Sequence, residues 1–282
     1  MNIENTIKKA SRILKNHNIN SYELDAQIIL SDIIGVKRES FIINNEINIT
    51  EKIAEKYDRA IKRRINREPV AYITGKKEFW SEDFNVNKST LIPRPETELL
   101  IYKVVNFFKN KKINILDIGT GSGCILLSIL KELPLSRGIG IDISAKTIKI
   151  AKTNAKKLNL LNRSKFRIFD LKKYKTGKYD LIISNPPYIP SKDIKNLSKD
   201  IINYEPRVAL NGGIDGLDLI RKIINMGNYL LKKNGLLVLE IGFNQYGKVS
   251  AIMRKYGYRE ISKEYDYNQN VRCIISTKWA FF

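Results

Sequence analysis

Short apolar runs alternate with longer amphipathic stretches along the chain from residue 113 onwards. The apolar runs predict seven strands, at residues 113–118, 138–143, 165–169, 179–184, 236–241, 259–263 and 271–278. Amphipathic stretches separate the first five runs and predict helices, a pattern typical of a doubly wound parallel sheet. The last two runs follow each other without a helix and predict an antiparallel edge hairpin. The fold class is therefore α/β, with a seven-stranded, mostly parallel sheet whose ligand lies beyond the carboxyl ends of the strands.

The N-terminal quarter follows a helical pattern instead. Residues 22–34 place their apolar side chains on one helical face, and Asn20 and Glu23 at the start form a variant of the capping box. A second helix is predicted over residues 51–66, and a short hairpin through residues 79–86. The chain is thus predicted to have three parts: a small helical domain at 1–75, a hairpin and linker at 76–95, and a larger α/β domain at 96–282.

Composition excludes several classes of protein. With 282 residues, of which 43% are hydrophobic, the chain can bury a sizeable core and is not mainly disordered. Two cysteines and one histidine are too few for a disulfide scaffold or a Cys/His zinc site, so no metal is expected. No apolar run approaches the roughly 18 residues of a membrane span. We therefore expect a cytoplasmic protein that has no membrane partner.

The formal net charge of +21 raises the question of a nucleic-acid function. Residues 1–85 carry 15 basic and 13 acidic side chains, whereas residues 86–282 carry 35 and 16. The excess belongs to the larger domain, where it favours an anionic partner, either nucleic acid or an acidic protein. A solvated, lysine-rich face produced by compositional drift explains the same charge equally well.

A glycine-rich loop follows the first strand of the predicted sheet, at Gly119-Thr120-Gly121-Ser122-Gly123. Glycines let the backbone turn tightly and bring a ligand close to the N–H groups at the start of the next helix. Asp117, just before the loop, would repel phosphates. The loop therefore suits a ligand that carries a sulfonium and an amino acid better than a pyrophosphate, and a purely structural turn is the alternative.

Two acidic residues end the next two strands. Asp142 ends the second strand, where its carboxylate can accept hydrogen bonds from both ribose hydroxyls of an adenosine; a helix cap is the alternative. Asp170 ends the third strand, where it can accept from the adenine amino group while Leu171 covers the ring; a cap or a solvated turn is the alternative. Because the carboxyl ends of parallel strands share one sheet edge, these features together favour a binding crevice.

The tetrapeptide Asn185-Pro186-Pro187-Tyr188 follows the fourth strand. The two prolines stop the strand and stiffen the turn, and the Pro186 carbonyl receives no N–H from the proline that follows it. Asn185 and this carbonyl can accept the two hydrogens of a planar NH₂ group, while the Tyr188 ring packs against the planar substrate. The turn would then hold the nitrogen towards a methyl donor, and a rigid surface turn is the alternative.

In their order along the chain, Asp117–Gly123, Asp142, Asp170 and Asn185–Tyr188 resemble the motifs of class I S-adenosylmethionine-dependent methyltransferases that act on amino groups. The Asn-Pro-Pro-Tyr motif also occurs in adenine DNA and RNA methyltransferases and does not choose the substrate. Further segments resemble the peptide chain release factor glutamine methyltransferases, the HemK-type family, over essentially the whole chain: Arg67–Gly75, Phe79–Trp80, Leu91–Glu98, Glu205–Leu210 and Gly212–Gly216. The departures are Ser122 in the glycine loop and Leu171, where an aromatic residue can occur.

The resemblance implies methyl transfer from S-adenosylmethionine to the side-chain amide nitrogen (N5) of the glutamine in the Gly-Gly-Gln motif of class 1 release factors. It implies that the cofactor is bound by Gly119, Thr120, Gly121, Ser122, Gly123, Asp142, Asp170, Leu171 and Asn185. The substrate amide would be held by Asn185, Pro186, Pro187 and Tyr188, of which Asn185, Pro186 and Tyr188 are the expected catalytic residues. The helical domain is expected to dock the release factor, and the enzyme is expected to be a monomer that does not require nucleic acid.

Three other functions stay open at this point. An N6-adenine methyltransferase acting on DNA or RNA is favoured by the basic larger domain and opposed by the near-neutral helical domain, which is a poor clamp for a phosphate backbone. A ribosomal-protein glutamine methyltransferase shares the Asn-Pro-Pro-Tyr motif, and only Pro93–Thr97 favours release factors over it. A nucleic-acid-binding module without activity is opposed by Asp142 and Asn185. For Arg94 and Glu96, a structural salt bridge and a substrate contact are both open.

Overall fold

The computed structural model describes residues 2–43, 48–169 and 177–278. The chain forms two compact units. The first comprises Met1–Lys76 together with Ser198–Tyr204, and the second comprises Lys77–Leu197 together with Glu205–Phe282. Within the described ranges, no helix is both long and apolar enough to cross a bilayer.

The helices and strands follow the predicted change of pattern along the chain. The first part contains α1 (Ile3–Asn16), α2 (Tyr22–Ile34), α3 (Ser40–Ile43), α4 (Glu51–Ile65), α5 (Val70–Thr74) and the hairpin strands β1 (Lys76–Phe79) and β2 (Glu82–Asn85). The remainder contains α6 (Glu98–Phe108), β3 (Asn114–Ile118), α7 (Cys124–Glu132), β4 (Arg137–Asp142), α8 (Ala145–Lys157), β5 (Ser164–Ile168), β6 (Tyr179–Ser184), α9 (Lys199–Tyr204), α10 (Asp218–Leu230), β7 (Leu231–Glu240), α11 (Tyr246–Lys255), β8 (Tyr258–Tyr265) and β9 (Val271–Lys278).

The first unit is built around the apolar faces of α1, α2 and α4. Thr50 is the N-cap of helix α4, and its hydroxyl accepts from the backbone N–H of Ile53 at 3.4 Å. Helix α2 begins after Ser21 rather than Asn20, so the predicted capping box is wrong. The Ser21 hydroxyl makes no cap bond and donates to the carboxylate of Asp25 at 2.9 Å.

Residues 198–204 belong to the first unit although they lie more than 120 positions away from the rest of it. The guanidinium of Arg64 is buried and donates to Asp25 at 2.6 Å and to Asp200 at 2.7 Å. The hydroxyl of Tyr204 donates to the carbonyl of Asn66 at 2.7 Å. These bonds satisfy a buried cation that would otherwise be costly, and they were not predicted from the sequence.

The second unit contains the predicted sheet, with seven strands in the described part of the chain. Their order is β5-β4-β3-β6-β7-β9-β8. Neighbours from β5 to β7 are parallel, and β9 is antiparallel to both β7 and β8, which confirms the mostly parallel sheet with an antiparallel edge hairpin. The chain leaves β3 towards β4 on one side and later returns to β6 on the other. This reversal creates the crevice at which ligands bind in open α/β sheets.

One predicted strand begins at a different residue in the structure, and one predicted helix lies outside the described residues. Strand β7 begins at Leu231, five residues before the predicted 236, because it includes the polar segment Lys232–Asn234, which no apolar pattern marks. The helix predicted between the third and fourth strands falls mainly on residues 170–176, outside the described residues.

Helices cover both faces of the sheet. Helices α6, α7 and α8 pack with Ile115, Leu181 and Ile183 on one face, and α10 and α11 pack with Leu116 and Ile182 on the other. Successive residues of β3 and β6 therefore enter different hydrophobic cores. This two-sided burial explains why their sequences read as continuous apolar runs rather than as alternating ones.

Candidate active site

A cavity of about 550 Å³ opens at the carboxyl ends of β3, β4 and β6, where the strand order reverses. Of the predicted site residues, it is lined by Gly119, Gly121, Asp142, Asn185 and Pro187. Five others in the described ranges are not part of its lining: Thr120, Ser122, Gly123, Pro186 and Tyr188. The predicted adenine contacts Asp170 and Leu171 lie outside the described residues.

The three glycines of the loop have two different structural roles. Gly119 and Gly121 adopt φ values of +70° and +56°, and a Cβ added to Gly119 would meet no atom within 4 Å. Their missing side chains leave the backbone open to the cavity. Gly123 also has a positive φ, +82°, but a Cβ there would come within 3.1 to 3.3 Å of Leu127, Ala151 and Phe166. Gly123 therefore permits the packing of α7 and α8 rather than the approach of a ligand.

Asp117 is a fully buried carboxylate next to the loop. Thr120 donates to its Oδ2 at 2.6 Å, and Oδ1 has no hydrogen-bond partner in the described part of the chain. Burial, the largest cause, raises the pKa of Asp117 to about 7. An acid at this position disfavours a phosphate ligand on the loop, in agreement with the sequence argument.

Asp142 ends β4 with its carboxylate on the cavity wall. Its Oδ2 accepts from the N–H of Gly121 at 3.2 Å, and its Oδ1 accepts from the N–H of Ser144 at 3.0 Å. The N-cap of α8 is Ser144, whose hydroxyl accepts from Thr147, so Asp142 is not the helix cap that the sequence left open. Burial raises the pKa of Asp142. Each carboxylate oxygen keeps a further lone pair with which a ligand hydroxyl can bond.

Phe169 is a lining residue that the sequence analysis did not assign to the site. It follows β5, its N–H donates to the carbonyl of Asp142 at 2.9 Å, and its ring packs against the hydrophobic core. The signal available in the sequence was its position at a strand end directly before Asp170, where an aromatic ring can lie against a flat ligand.

The Asn-Pro-Pro-Tyr turn is held to the sheet by bonds on both sides. Before the turn, the hydroxyl of Ser184 donates to the carbonyl of Ile118 at 2.7 Å. After it, the Nε2 of Gln245 donates to the carbonyl of Tyr188 at 2.8 Å. No donor among the described residues bonds to the carbonyl of Pro186. Within the described ranges, the carbonyl of Pro186 is therefore available as an acceptor.

A chain of buried polar side chains supports Asn185. Its Nδ2 donates to Thr97 Oγ1 at 3.1 Å, and the Thr97 hydroxyl donates to Glu240 Oε2 at 2.6 Å. The Tyr188 hydroxyl donates to Glu240 Oε1 at 3.3 Å. Thr97 and Glu240 are each 2% exposed, and burial raises the pKa of Glu240 to about 7. Glu240 was missed because it lies at the end of a strand, far in sequence from every motif.

The glycines at 212–216 accommodate the turn at close range. A Cβ on Gly212 would come within 2.7 Å of the carbonyl oxygen of Pro187, and a Cβ on Gly216 within 2.3 Å of that of Tyr188. The N–H of Gly212 also donates to the carbonyl of Ile189 at 2.9 Å. These close backbone contacts give a physical reason for the glycine-rich segment that carried part of the resemblance.

Arg94 forms an ion pair with Glu205. The carboxylate of Glu205 is buried and also accepts from the N–H of Ile92 at 3.2 Å. Of the two interpretations that the sequence left open for Arg94, the structure therefore shows a salt bridge. It joins two of the segments that carried the resemblance, 91–98 and 205–210.

The size of the cavity and the polar groups at its edge fit S-adenosylmethionine. A volume near 550 Å³ lies in the range of small-molecule sites. The space above Gly119 allows close approach of a ligand to the backbone, and Asp142 offers carboxylate acceptors for a ribose.

The strand order with its antiparallel seventh strand, and the cavity between a glycine loop and an acidic strand end, define a class I S-adenosylmethionine-dependent methyltransferase. Residues 5–75 match the PrmC N-terminal domain family, and residues 95–215 match the methyltransferase small domain family. The chain is 38% identical to the release factor glutamine methyltransferase of Clostridium acetobutylicum, over 99% of both chains. It is 40% identical to the one from Buchnera aphidicola subsp. Schizaphis graminum, over 99% of this chain and 100% of that protein. It belongs to the release factor glutamine methyltransferase family.

Other similarities extend over part of a longer protein or over the fold alone. The chain is 38% identical to a bifunctional methyltransferase of Rickettsia typhi, and the match covers 91% of this chain but 53% of that protein. A methyltransferase from Pyrococcus furiosus superposes with a TM-score of 0.55 at 16% identity, covering 79% of this chain and 99% of that one. The hMettl16 catalytic domain, solved with the MAT2A 3′UTR hairpin 6, gives 0.54 at 16% identity and covers 84% of each. At these identities the structural similarities concern the fold.

Proposed function

We propose that this enzyme methylates the side-chain amide nitrogen (N5) of the glutamine in the Gly-Gly-Gln motif of class 1 peptide chain release factors. The observation that carries the proposal is the Asn185–Pro186 turn, which has two unused oxygen acceptors beside a cavity suited to S-adenosylmethionine. Relatives that match over nearly their whole length are named release factor glutamine methyltransferases, which supports the proposal.

The substrate amide needs positioning more than it needs a base. Its nitrogen is a weak nucleophile because its lone pair is delocalised into the carbonyl. Asn185 Oδ1 and the Pro186 carbonyl accept one hydrogen each and hold the nitrogen in line with the methyl group. Bound S-adenosylmethionine supplies that methyl on a sulfonium: the N–C bond forms as the S–C bond breaks, and the nitrogen's proton leaves to water. Alignment of reacting groups can supply roughly 7 to 11 kcal/mol in favourable cases.

The other predicted site residues have supporting roles in this proposal. Gly119, Thr120, Gly121, Ser122 and Gly123 form the loop that cradles the amino-acid part of the cofactor. Asp142 binds the ribose, and Asp170 with Leu171 binds the adenine. Pro187 forms part of the wall, and Tyr188 packs against the plane of the substrate amide. The Tyr188 hydroxyl bond to Glu240 supports this position of the ring.

In the same proposal, each of the three parts of the chain has its own function. Residues 1–75 dock the release factor, residues 76–95 form the hairpin and linker, and residues 96–282 bind the cofactor and carry out the transfer. The enzyme acts as a monomer in the cytoplasm and does not require nucleic acid.

Incubation with a radiolabelled methyl donor tests the proposed substrate. The acceptors are a class 1 release factor, its Gly-Gly-Gln variant with Gln→Ala, purified ribosomal proteins, and single- or double-stranded nucleic acid. We expect label on the unmodified release factor alone. Label on nucleic acid or on ribosomal proteins, with none on the release factor, would overturn the proposal in favour of one of the alternatives.

A further inference from the structure

We infer that Thr97 and Glu240 are positioning residues that fix the Asn185 carboxamide with Oδ1, and not Nδ2, towards the substrate. This inference deepens the proposed function and rests on it. It concerns side chains that contribute no atom to the proposed contact with the substrate.

The direction of the bonds follows from the donors and acceptors available. An ionised carboxylate can only accept, so the Thr97 hydroxyl must give its one hydrogen to Glu240 Oε2, at 2.6 Å. The Thr97 oxygen is then left as an acceptor. The group of Asn185 that faces it must be the donor Nδ2, which lies at 3.1 Å. The charge of Glu240 thus determines the orientation of the Asn185 carboxamide through two successive hydrogen bonds, from Thr97 to Glu240 and from Asn185 to Thr97.

The orientation matters because the two ends of a carboxamide are chemically opposite. With Nδ2 bound to Thr97, the Oδ1 of Asn185 has no partner among the described residues, and Asn185 is one of the residues that line the cavity. A substrate NH₂ group brings only donors, so it needs that oxygen. If the carboxamide turned over, two NH₂ groups would face each other and the substrate nitrogen would lose one of its two acceptors.

The support is fixed at both oxygens of Glu240. Tyr188 donates to Oε1 at 3.3 Å, so the turn is linked to one carboxylate directly at Tyr188 and through the Thr97 hydroxyl at Asn185. Thr97 is in turn held by its N–H, which donates to the carbonyl of Arg94 at 3.1 Å. Thr97 and Glu240 together form a relay from the carboxylate to Asn185, and each residue is 2% exposed, so water does not compete for their bonds.

A Thr97→Val variant tests the inference, because valine keeps the shape and removes the hydroxyl. Thr97→Ser restores the hydroxyl and serves as the conservative rescue. Thr277→Val is a matched control in the same unit, where the threonine hydroxyl donates to the carbonyl of Gly235 at 3.2 Å and lies outside the site. The measurements are the single-turnover methylation rate at saturating concentrations, the dissociation constants of S-adenosylmethionine and the release factor, and the melting temperature.

For Thr97→Val we expect a turnover about 10- to 100-fold slower, the range set by one lost buried hydrogen bond, with both dissociation constants within about threefold. Thr97→Ser and Thr277→Val should turn over within about threefold of the wild type. A Thr97→Val rate equal to that of the wild type would overturn the inference, as would a loss that comes entirely from weaker binding or a lower melting temperature. Absence of release factor methylation by the wild type would instead contradict the proposed function.

Discussion

The two sides of the cavity are held by different kinds of contact. On the glycine-loop side, the contacts come from the backbone: the main-chain N–H groups of Gly121 and Ser144 donate to the carboxylate of Asp142. On the turn side, Asn185 is held by Thr97, whose hydroxyl bonds to Glu240, and these side chains come from distant parts of the chain. The bonds of the first side therefore join residues at most 21 positions apart, whereas those of the second join residues up to 143 positions apart.

Each side also has a buried acid with a pKa raised to about 7, and the two acids differ in their bonding. Asp117, beside the loop, has one oxygen bonded to Thr120 and one without a partner in the described ranges. Glu240, behind the turn, has a hydroxyl donor at each oxygen. Glu240 thus has both oxygens bonded within the protein and supports the turn. Asp117 keeps acceptor capacity next to the proposed cofactor loop.

The largest effect is expected on the turn side. Asn185→Ala removes one of the two acceptors that align the amide, and misalignment of reacting groups costs on the order of 100-fold in rate. We expect single-turnover methylation to fall by about that factor or more, while S-adenosylmethionine affinity stays within about threefold of the wild type. Quench-flow kinetics and equilibrium dialysis measure the two quantities. Near-normal single turnover by this variant would remove Asn185 from the mechanism.

A substitution on the glycine-loop side should weaken binding of S-adenosylmethionine and leave turnover nearly unchanged. Asp142→Asn keeps the shape and removes the charge, so the ribose hydroxyls lose charge-assisted bonds. We expect S-adenosylmethionine affinity to fall about 10- to 100-fold, with turnover at saturating cofactor close to that of the wild type. Titration calorimetry and steady-state kinetics on one preparation separate the effects. An unchanged dissociation constant would exclude Asp142 from cofactor binding.

A change of pH should affect turnover through Glu240. The bond directions require its ionised form, so the rate at saturating cofactor and release factor should rise with pH through about 7 and level off above it. Other groups that act on this carboxyl are Tyr188, Arg272 and Glu96, and Glu240 in turn acts on Cys273. Below the midpoint, we expect the rate to fall about tenfold per pH unit.

The control for the pH profile is Thr97→Val, which lacks the hydroxyl that links Glu240 to Asn185. Its rate should depend much less on pH between 6 and 8, because the charge of Glu240 no longer determines the orientation of Asn185. The titration of Asp117 should affect cofactor affinity, and saturating cofactor removes that contribution. A wild-type profile that is flat across this range, or one shared unchanged by Thr97→Val, would contradict the relay.

The smallest expected effect is a difference in the free energy of unfolding between alanine variants at two glycines of the loop, Gly119 and Gly123. Both have positive φ, which an alanine adopts at a cost of about 1 to 2 kcal/mol. Gly123→Ala also crowds Leu127, Ala151 and Phe166, so its free energy of unfolding should fall by about 1 to 3 kcal/mol more than that of Gly119→Ala. Urea denaturation of both variants measures the difference. Equal losses would mean that α7 and α8 tolerate the added methyl group.

The sheet could be predicted because each strand is marked by its own apolar residues. All seven predicted strands occur, and β6 runs from Tyr179 to Ser184 as predicted. The start of β7 at Leu231 could not be predicted, because the polar segment Lys232–Asn234 separates this residue from the apolar run, and the pairing with β6 is irregular there. Local chemistry likewise marked the glycine loop and the Asn185 turn as candidates, and both line the cavity.

Contacts between distant residues could not be predicted from one sequence. Nothing in the pattern around Glu240 distinguishes it from any other strand-end acid, and its role depends on Thr97, 143 positions earlier. The same is true of Asp200, which the fold brings to Arg64 in the first unit. Such pairs are determined by the packing of whole elements, and no short motif records them.

A crystal structure with S-adenosylhomocysteine and a Gly-Gly-Gln peptide tests the central claim most directly. The measurement is the distance from the glutamine side-chain nitrogen to Asn185 Oδ1 and to the Pro186 carbonyl oxygen. We predict that both distances lie between about 2.7 and 3.2 Å, the hydrogen-bond range. A glutamine nitrogen bound elsewhere, or an Asn185 whose Nδ2 faces the peptide, would contradict the account.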